Sequence, residues 1–307
     1  MGDAFLMAQV AKLYYIDKVK QNEIAERFNL TPMLVSRLIR RAEEEGIVQF
    51  HVKSPYSMDW KLGKRIKDQY GLSECVVLSD DDHSPIHEKI GAFLSDYFLN
   101  ILKEDSIIGI SWGRTISSFA RNLPFTNYEK CKVMQLSGGF FHETDYMITP
   151  SSILKMVSEK LNCQPIFLNA PLYISEEAKK FVLDDANNRQ ILERIQQSDI
   201  NIIGASKLST ESTVSRVGVI TDEDIQELTS KGAIGDIAGF FINEDGDQVE
   251  WSKSEQYVGV PLEDIQKARH VICVAGEAEK LNVIKAALKK HYFNVLITSQ
   301  EMAYKLI

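Results

Sequence analysis

The sequence predicts an α/β protein in two parts: a winged helix-turn-helix head followed by a larger Rossmann-like α/β domain. Three observations carry this. The chain has 307 residues, about twice a typical domain of roughly 100–150. Residues 21–42 have the spacing of two helices crossing over a tight turn. Beyond residue 70, short apolar runs alternate with helical stretches, the pattern of βαβ units around a mostly parallel sheet.

The head comes first. Ala8, Ala11, Leu13, Tyr14 and Tyr15 place one helix ending near Asp17, and Ile24, Ala25 and Phe28 a second. Val35, Leu38, Ile39 and Ala42, three and four apart, place a third. Thr31-Pro32 supplies its cap and a proline at the first helical position. Ala25 is small where two helices must cross closely, and Asn29 tolerates the left-handed backbone the turn needs. Gly46 ends the third helix, and residues 47–52 alternate as a wing strand would. Ser54-Pro55 marks the boundary, so the expected domains are 1–55 and 56–307.

In the larger part, Leu62, Ile66 and Tyr70 share one face of a connecting helix stopped by Gly71. The apolar runs are 75–78, 107–110, 133–136, 165–168, 200–203, 271–275 and 295–297. Helical patterns occupy 86–102, 151–161 and 280–290.

Net charge is −8, from 35 basic and 43 acidic residues. For the chain as a whole this opposes nucleic-acid binding, because phosphate affinity comes from clustered Lys and Arg. By region the picture changes. Residues 1–55 hold eight basic and seven acidic side chains, and 30–42 carry three arginines and no acid. With Ile24, Phe28, Leu30, Val35 and Leu38 inward, Met33, Ser36, Arg37, Arg40 and Arg41 occupy an exposed face able to enter a major groove. Together with Gln21 and Thr31 these are the candidate DNA contacts. The bland alternative is an arginine face on an ordinary three-helix bundle. Glu43-Glu44-Glu45 reads as a solvated helix end facing away from DNA.

No apolar run reaches the roughly 18 residues of a membrane span, and no signal peptide is visible, so the expected setting is cytoplasmic. Cys75, Cys131, Cys163 and Cys273 are widely spaced and read as buried thiols rather than a disulfide framework or zinc site.

The stretch from Ala11 to Val52 resembles the N-terminus of the SorC/DeoR-type family of sugar-responsive bacterial transcriptional regulators. Leu13-Tyr14-Tyr15, Gln21, Glu23-Ile24-Ala25, Val35-Ser36-Arg37-Leu38 and Gly46-Ile47-Val48 carry the match. The blocks IIGISWGRTISSFARNLP, VMQLSGGF, FLNAPLY, GAIGDIAGFFINEDG and VICVAGEAEKLNVIKAAL continue it in order. The resemblance implies an effector domain similar to sugar-phosphate isomerase and deaminase folds, a phosphorylated-sugar effector, operator DNA as partner and a tetrameric assembly. It also implies that Lys280 is a phosphate-binding lysine. Three places depart from the family pattern: Thr31-Pro32-Met33, Glu277 where a second Gly is usual, and Ser299-Gln300.

The residues point to such a site independently. Gly113, Arg114 and Thr115 follow a strand and open a helix, where N–H groups, a hydroxyl and a guanidinium attract phosphate. Gly138 and Gly139 offer a second close backbone approach. Asp236 is the candidate acceptor for sugar hydroxyls, with Gln135 and Asn169 at strand ends as weaker ones. No cofactor and no metal are expected.

Other chemistries find partial matches in the residues. Gly109-Ile110-Ser111-Trp112-Gly113 formally matches a hydrolase nucleophile elbow, with Asp247 and His270 or His291 in the required order. A sugar-phosphate isomerase or deaminase is the nearer enzyme alternative, with Asp236 as its base. Residues 80–83 and His87-Glu88 resemble metal ligands in composition, but their spacing is loose. No Lys lies in 133–139, which excludes a Schiff base from that strand, and no Walker or Gly-x-Gly-x-x-Gly loop occurs.

Overall fold

The structure, a computed structural model, describes residues 3–50, 56–79, 84–140 and 146–307. They form two compact units, Met1–Pro55 and Tyr56–Ile307. Among the described residues no helix is long and apolar enough to cross a membrane.

In the first unit a helix Asp3–Ala11 runs on as a π-type turn Lys12–Ile16, followed by helices Gln21–Phe28 and Pro32–Glu44. Asn29 takes φ 54°, ψ 45°, the left-handed cap that ends one helix and turns the chain into the next. Thr31 Oγ1 accepts from Leu34 N at 3.2 Å, so the expected cap is made. Ile24, Ala25, Val35, Leu38, Ile39 and Ala42 close the core with Met7 and Val10. Phe28 and Leu30 pack on its edge. Gly46, at φ 73°, stops the third helix. Residues 47–50 form no strand: Val48 N donates to Ala42 O at 2.9 Å, folding the segment back onto the core. The remainder of the expected wing, His51 and Val52, and the Ser54-Pro55 boundary lie outside the described residues.

The second unit is a twisted, mostly parallel sheet. Its strands are β1 (Glu74–Leu78), β2 (Ile107–Ile110), β3 (Lys132–Gln135), β4 (Gln164–Ile166), β5 (Ile200–Lys207), β6 (Gly235–Ile237), β7 (Phe240–Ile242), β8 (His270–Val274) and β9 (Val295–Ser299). The order is β1-β9-β8-β5-β2-β3-β4, with all seven parallel. These are the seven apolar runs of the sequence. Strands covered on both faces need apolar residues at every position, so they show as runs rather than alternation. Period two then sorts their side chains into two cores. Val76, Ile108, Ile110, Ile202, Ile272 and Ile297 face one side, and Val77, Met134, Ile203, Cys273 and Leu296 the other.

The hairpin β6–β7 is not visible in the sequence. It pairs antiparallel with the end of β5, Ser206 opposite Asp236, and so carries β5 four residues past its apolar run. Its two-residue turn, Ala238-Gly239, has positive φ at both positions, the twist a tight hairpin requires.

Helices Trp60–Tyr70, Ile86–Ile101, Arg114–Asn122, Pro150–Leu161 and Leu281–Lys289 are among those covering the sheet. Cys75, Cys131 and Cys273 are buried free thiols and Cys163 is partly buried. Burial pushes Cys75 and Cys273 up to about 12, so both stay protonated and inert at neutral pH.

The helices Ile86–Ile101 and Arg114–Asn122 cross with no room to spare at Gly91. A Cβ there would sit 2.5 Å from Ser118 Cβ and 2.7 Å from Phe119 N. Glu88 fastens the same crossing, accepting from Ser118 Oγ and Arg121 at 2.5 Å each. That pairing, with His87 Nε2 3.6 Å away, makes His87-Glu88 a helix–helix clamp rather than a ligand pair. Replacing Gly91 with Ala is expected to lower stability by about 1–3 kcal/mol by forcing the helices apart. Urea unfolding measures this, and an unchanged midpoint would show that the crossing yields freely.

Candidate functional site

Two surfaces matter, one on each unit. On the helix Pro32–Glu44, Met33, Ser36, Arg37 and Arg40 are exposed, Met33 by 83%. Among the described residues Arg37 makes no ion pair. Arg40 has only a loose one, 3.6 Å from the solvated Glu44, which is weak and easily exchanged. Arg41 differs from expectation. Its guanidinium reaches Asp3 at 2.8 Å and Glu45 at 2.7 Å, tying the first helix to the third instead of pointing outward. Glu43 accepts from the Tyr15 hydroxyl, so the acidic run is spent on the head's own donors. Gln21 is half-buried at the start of the second helix, and Thr31 is committed to its cap. The free groups of this face are therefore Met33, Ser36, Arg37 and Arg40.

On the second unit a cleft opens where the winding of the sheet reverses. From β2 the chain goes on to β3 and β4 in one direction, then returns to place β5 on the other side of β2. Ligands of open α/β sheets bind outside the carboxyl ends of strands at such a point. Ser111, Trp112, Gly113, Arg114 and Thr115 line the cleft from the end of β2, and residues 204–207 from the end of β5. Ser209, Glu211, Ser212 and Thr213 follow on the next loop, with Asp236, Ala238 and Gly239 from the hairpin. Glu277, Glu279 and Lys280 complete it beyond β8.

The helix Arg114–Asn122 starts in this cleft. Gly113 holds φ 116° to make the sharp entry, a conformation L side chains rarely adopt. No side chain caps the helix, and among the described residues the N–H groups of Arg114, Thr115 and Ile116 find no backbone acceptor. Such an end carries roughly half a positive charge and is ready for an anion. Lys280, 13% exposed, and Arg114 add full charges.

Asp236 lies opposite, 5% exposed, with Oδ2 accepting from Gly239 N at 3.1 Å. Burial pushes its carboxyl up to about 7, against the pull of that N–H and of the Lys280 charge. Near neutral pH it is part protonated and can both donate to and accept from a ligand hydroxyl. Glu277 lies between the two cations. Burial pushes its carboxyl up, but Lys280 and Arg114 outweigh this and hold it below the usual carboxylate range.

The fold thus brings together Gly113, Arg114, Thr115, Asp236 and Lys280. It does not bring in Gly138, Gly139, Gln135 or Asn169. The N–H groups of Gly138 and Gly139 are spent on Val258 O and Ala170 O, each at 2.8 Å. A Cβ at Gly138 would collide with the Pro171 carbonyl. This glycine pair lets two chain segments cross and is no phosphate cradle. Gln135 is 2% exposed and its Oε1 accepts from Leu168 N at 2.9 Å. Asn169 is exposed away from the cleft. Sequence reasoning missed the hydroxyl-rich segment after β5, Ser206 to Thr213. Its signal was a run of Ser and Thr directly after a strand at the reversal.

The hydrolase arrangement does not form. His270 opens β8, in register with Ile200 and through it with Ile108, and His291 precedes β9 at the same amino end of the sheet, whereas Ser111 lies past the far end of β2. Asp247 is paired with Lys290 at 2.5 Å. Residues 80–83 lie outside the described residues, and no group of three or more possible metal ligands occurs among the described ones.

The raised carboxyl of Asp236 has a signed consequence. The folded state binds this proton more tightly than the unfolded one, so stability falls as pH rises from about 4 to about 7 and is flat above. Asp236→Asn keeps the acceptor for Gly239 and abolishes the buried charge. Above pH 7 the variant is expected to be more stable than the native chain, by up to about 4 kcal/mol. Its stability should also lack that slope. Thermal melts from pH 4 to 8 check this, and parallel profiles would refute it.

Both units match known families. The Sugar-bind family, a sugar-binding domain, matches residues 54–307, and a winged helix-turn-helix DNA-binding family matches 17–49. The chain is 30% identical to the deoxyribonucleoside regulator of Bacillus subtilis over 305 residues, 98% of this chain and 97% of that one. It is 24% identical to the sorbitol operon regulator of Klebsiella pneumoniae, over 99% and 98%. The full-length crystal structure of that sorbitol operon regulator, SorC, superposes with a TM-score of 0.74, covering 100% of this chain and 99% of SorC. A DeoR family transcriptional regulator from Listeria monocytogenes, 25% identical, gives 0.75 over 80% and 98%. These relatives are named as regulators, and this protein is a regulator rather than an isomerase or deaminase. The chain belongs to the SorC/DeoR-type family of transcriptional regulators, with a DNA-binding helix-turn-helix and a sugar-binding domain.

Proposed function

We propose that this protein controls a carbohydrate-utilisation operon by binding double-stranded operator DNA through residues 1–55 and a phosphorylated sugar through residues 56–307. The observation that carries the effector reading is the cleft itself. An uncapped helix start, Arg114 and Lys280 supply an anion site, and Asp236 supplies a hydroxyl partner on the facing hairpin. Phosphate takes the N–H groups and cations, and the sugar hydroxyls turn to Asp236. Thr115 adds a hydroxyl donor.

The head reads DNA with the helix Pro32–Glu44. Arg37 and Arg40 meet guanine edges or phosphates, Ser36 a polar edge, and Met33 offers apolar contact. Gln21, at the start of the second helix, is a further candidate for a backbone contact, whereas the Thr31 hydroxyl is held in its cap. The chain acts as a homo-oligomer, a tetramer as the family resemblance implies, and so carries two or more heads to read spaced half-sites. The effector then works only through a difference in its affinity for the DNA-competent and incompetent arrangements.

Changing Arg37 and Arg40 together to Ala is expected to weaken operator binding at least about tenfold with the fold intact. A gel-shift titration beside a circular-dichroism melt reads both, and undiminished binding removes the recognition helix from the scheme. Lys280→Ala and Thr115→Ala should keep DNA binding but lose the response to sugar phosphates. Calorimetry showing that either variant binds effector normally would place the site elsewhere.

A further inference from the structure

The cations that a phosphate needs already face a carboxylate. Lys280 Nζ is 2.8 Å from Glu277 Oε2, and Arg114 is 3.7 Å from Glu277 Oε1. Lys280 is 13% and Glu277 21% exposed, so water does not screen this pair as it would a surface one. Glu277 caps the short helical turn Ala278–Lys280, and Lys280 N donates back to Glu277 O at 3.0 Å. Anion and cation are thus held on one short, hydrogen-bonded segment of chain, both lining the cleft.

We propose that Glu277 is a resident anion in the effector site and determines which ligands it accepts. It opposes a bare anion and favours one that brings hydroxyl donors beside its phosphate. The reasoning rests on the effector-site reading above. When a ligand draws Lys280 and Arg114 to itself, Glu277 is left mostly buried and without its partners, a costly state. A ligand hydroxyl that donates to the Glu277 carboxylate removes that cost. An anion with no proton to give, such as sulfate, cannot, and also meets the repulsion of a like charge. Glu277 is therefore a specificity-determining residue, whereas Lys280 and Arg114 provide affinity.

Calorimetric titration of the full-length chain with sulfate and with ribose 5-phosphate, at pH 7.5, tests this in the native protein, Glu277→Gln, Lys280→Ala and the double variant. Glu277→Gln is expected to tighten sulfate about tenfold and ribose 5-phosphate much less, so the native preference for the sugar phosphate narrows about tenfold. The gain from Glu277→Gln should be smaller when Lys280 is already Ala, because only Arg114 and the like-charge repulsion remain. Equal gains for both ligands, or no gain for sulfate, overturn the proposal while leaving the anion site standing if Lys280→Ala weakens both. Binding insensitive to Lys280, or no binding of either ligand to any variant, overturns the effector-site reading and the proposal with it. Glu277→Ser is a second variant expected to show the same narrowing, and melting curves confirm that each is folded.

Discussion

The reversal of winding between β2 and β5 is the constraint on which the second unit depends. In a parallel sheet every strand ends on the same edge, and the helices that follow begin there. Elsewhere on that edge the connections of neighbouring strands leave to the same side and close over each other. Between β2 and β5 they part, and residues 111–115 and residues 204–213 become the two banks of a cleft. Its positive bank exists because Gly113 can enter the helix Arg114–Asn122 at φ 116°. That helix keeps its place because Gly91 and Glu88 hold it against its neighbour.

Within the cleft, opposite charges are set against one another at short range. A helix start, Arg114 and Lys280 face Glu277 and Asp236, and burial gives the two acids different states. Asp236 has a single N–H donor and the Lys280 charge to offset a nearly complete loss of water, so its carboxyl is pushed up to about 7. Glu277, in direct contact with Lys280, stays ionised. Asp236, part protonated near neutral pH, can both donate to and accept from a hydroxyl, and Glu277 holds the two cations.

In the first unit, charge matters by position rather than by sum. Electrostatic attraction to DNA acts within about one Debye length, roughly 10 Å in ordinary salt, so the cations on one helix face count for more than the net charge of the chain. Arg41 shows the limit of counting. It belongs to the same basic run as Arg37 and Arg40, but its pairing with Asp3 and Glu45 makes it a brace of the three-helix core.

Much of the fold was legible because local chemistry specified it. Thr31-Pro32, Asn29 and the 3-and-4 spacing of Val35, Leu38, Ile39 and Ala42 determine the helix-turn-helix from neighbouring residues alone. The seven parallel strands were legible because burial on both faces demands unbroken apolar runs. The site was legible only in part. Gly113 and the pair Gly138-Gly139 look alike in sequence, each a glycine turn after a strand. Only the fold decides that one opens a helix onto a cleft and that the other lets Pro171 and Val258 pass. The hairpin β6–β7 left no periodic trace, since three-residue strands are too short to show one and are held by pairing with β5. By itself the sequence determined the helix-turn-helix, the seven parallel strands, their order along the chain and the family. The tertiary structure alone decided which polar groups meet, because Thr115, Asp236 and the neighbouring pair Glu277 and Lys280 come from three segments far apart in the chain, and strand pairing, not sequence proximity, sets the distances between those segments.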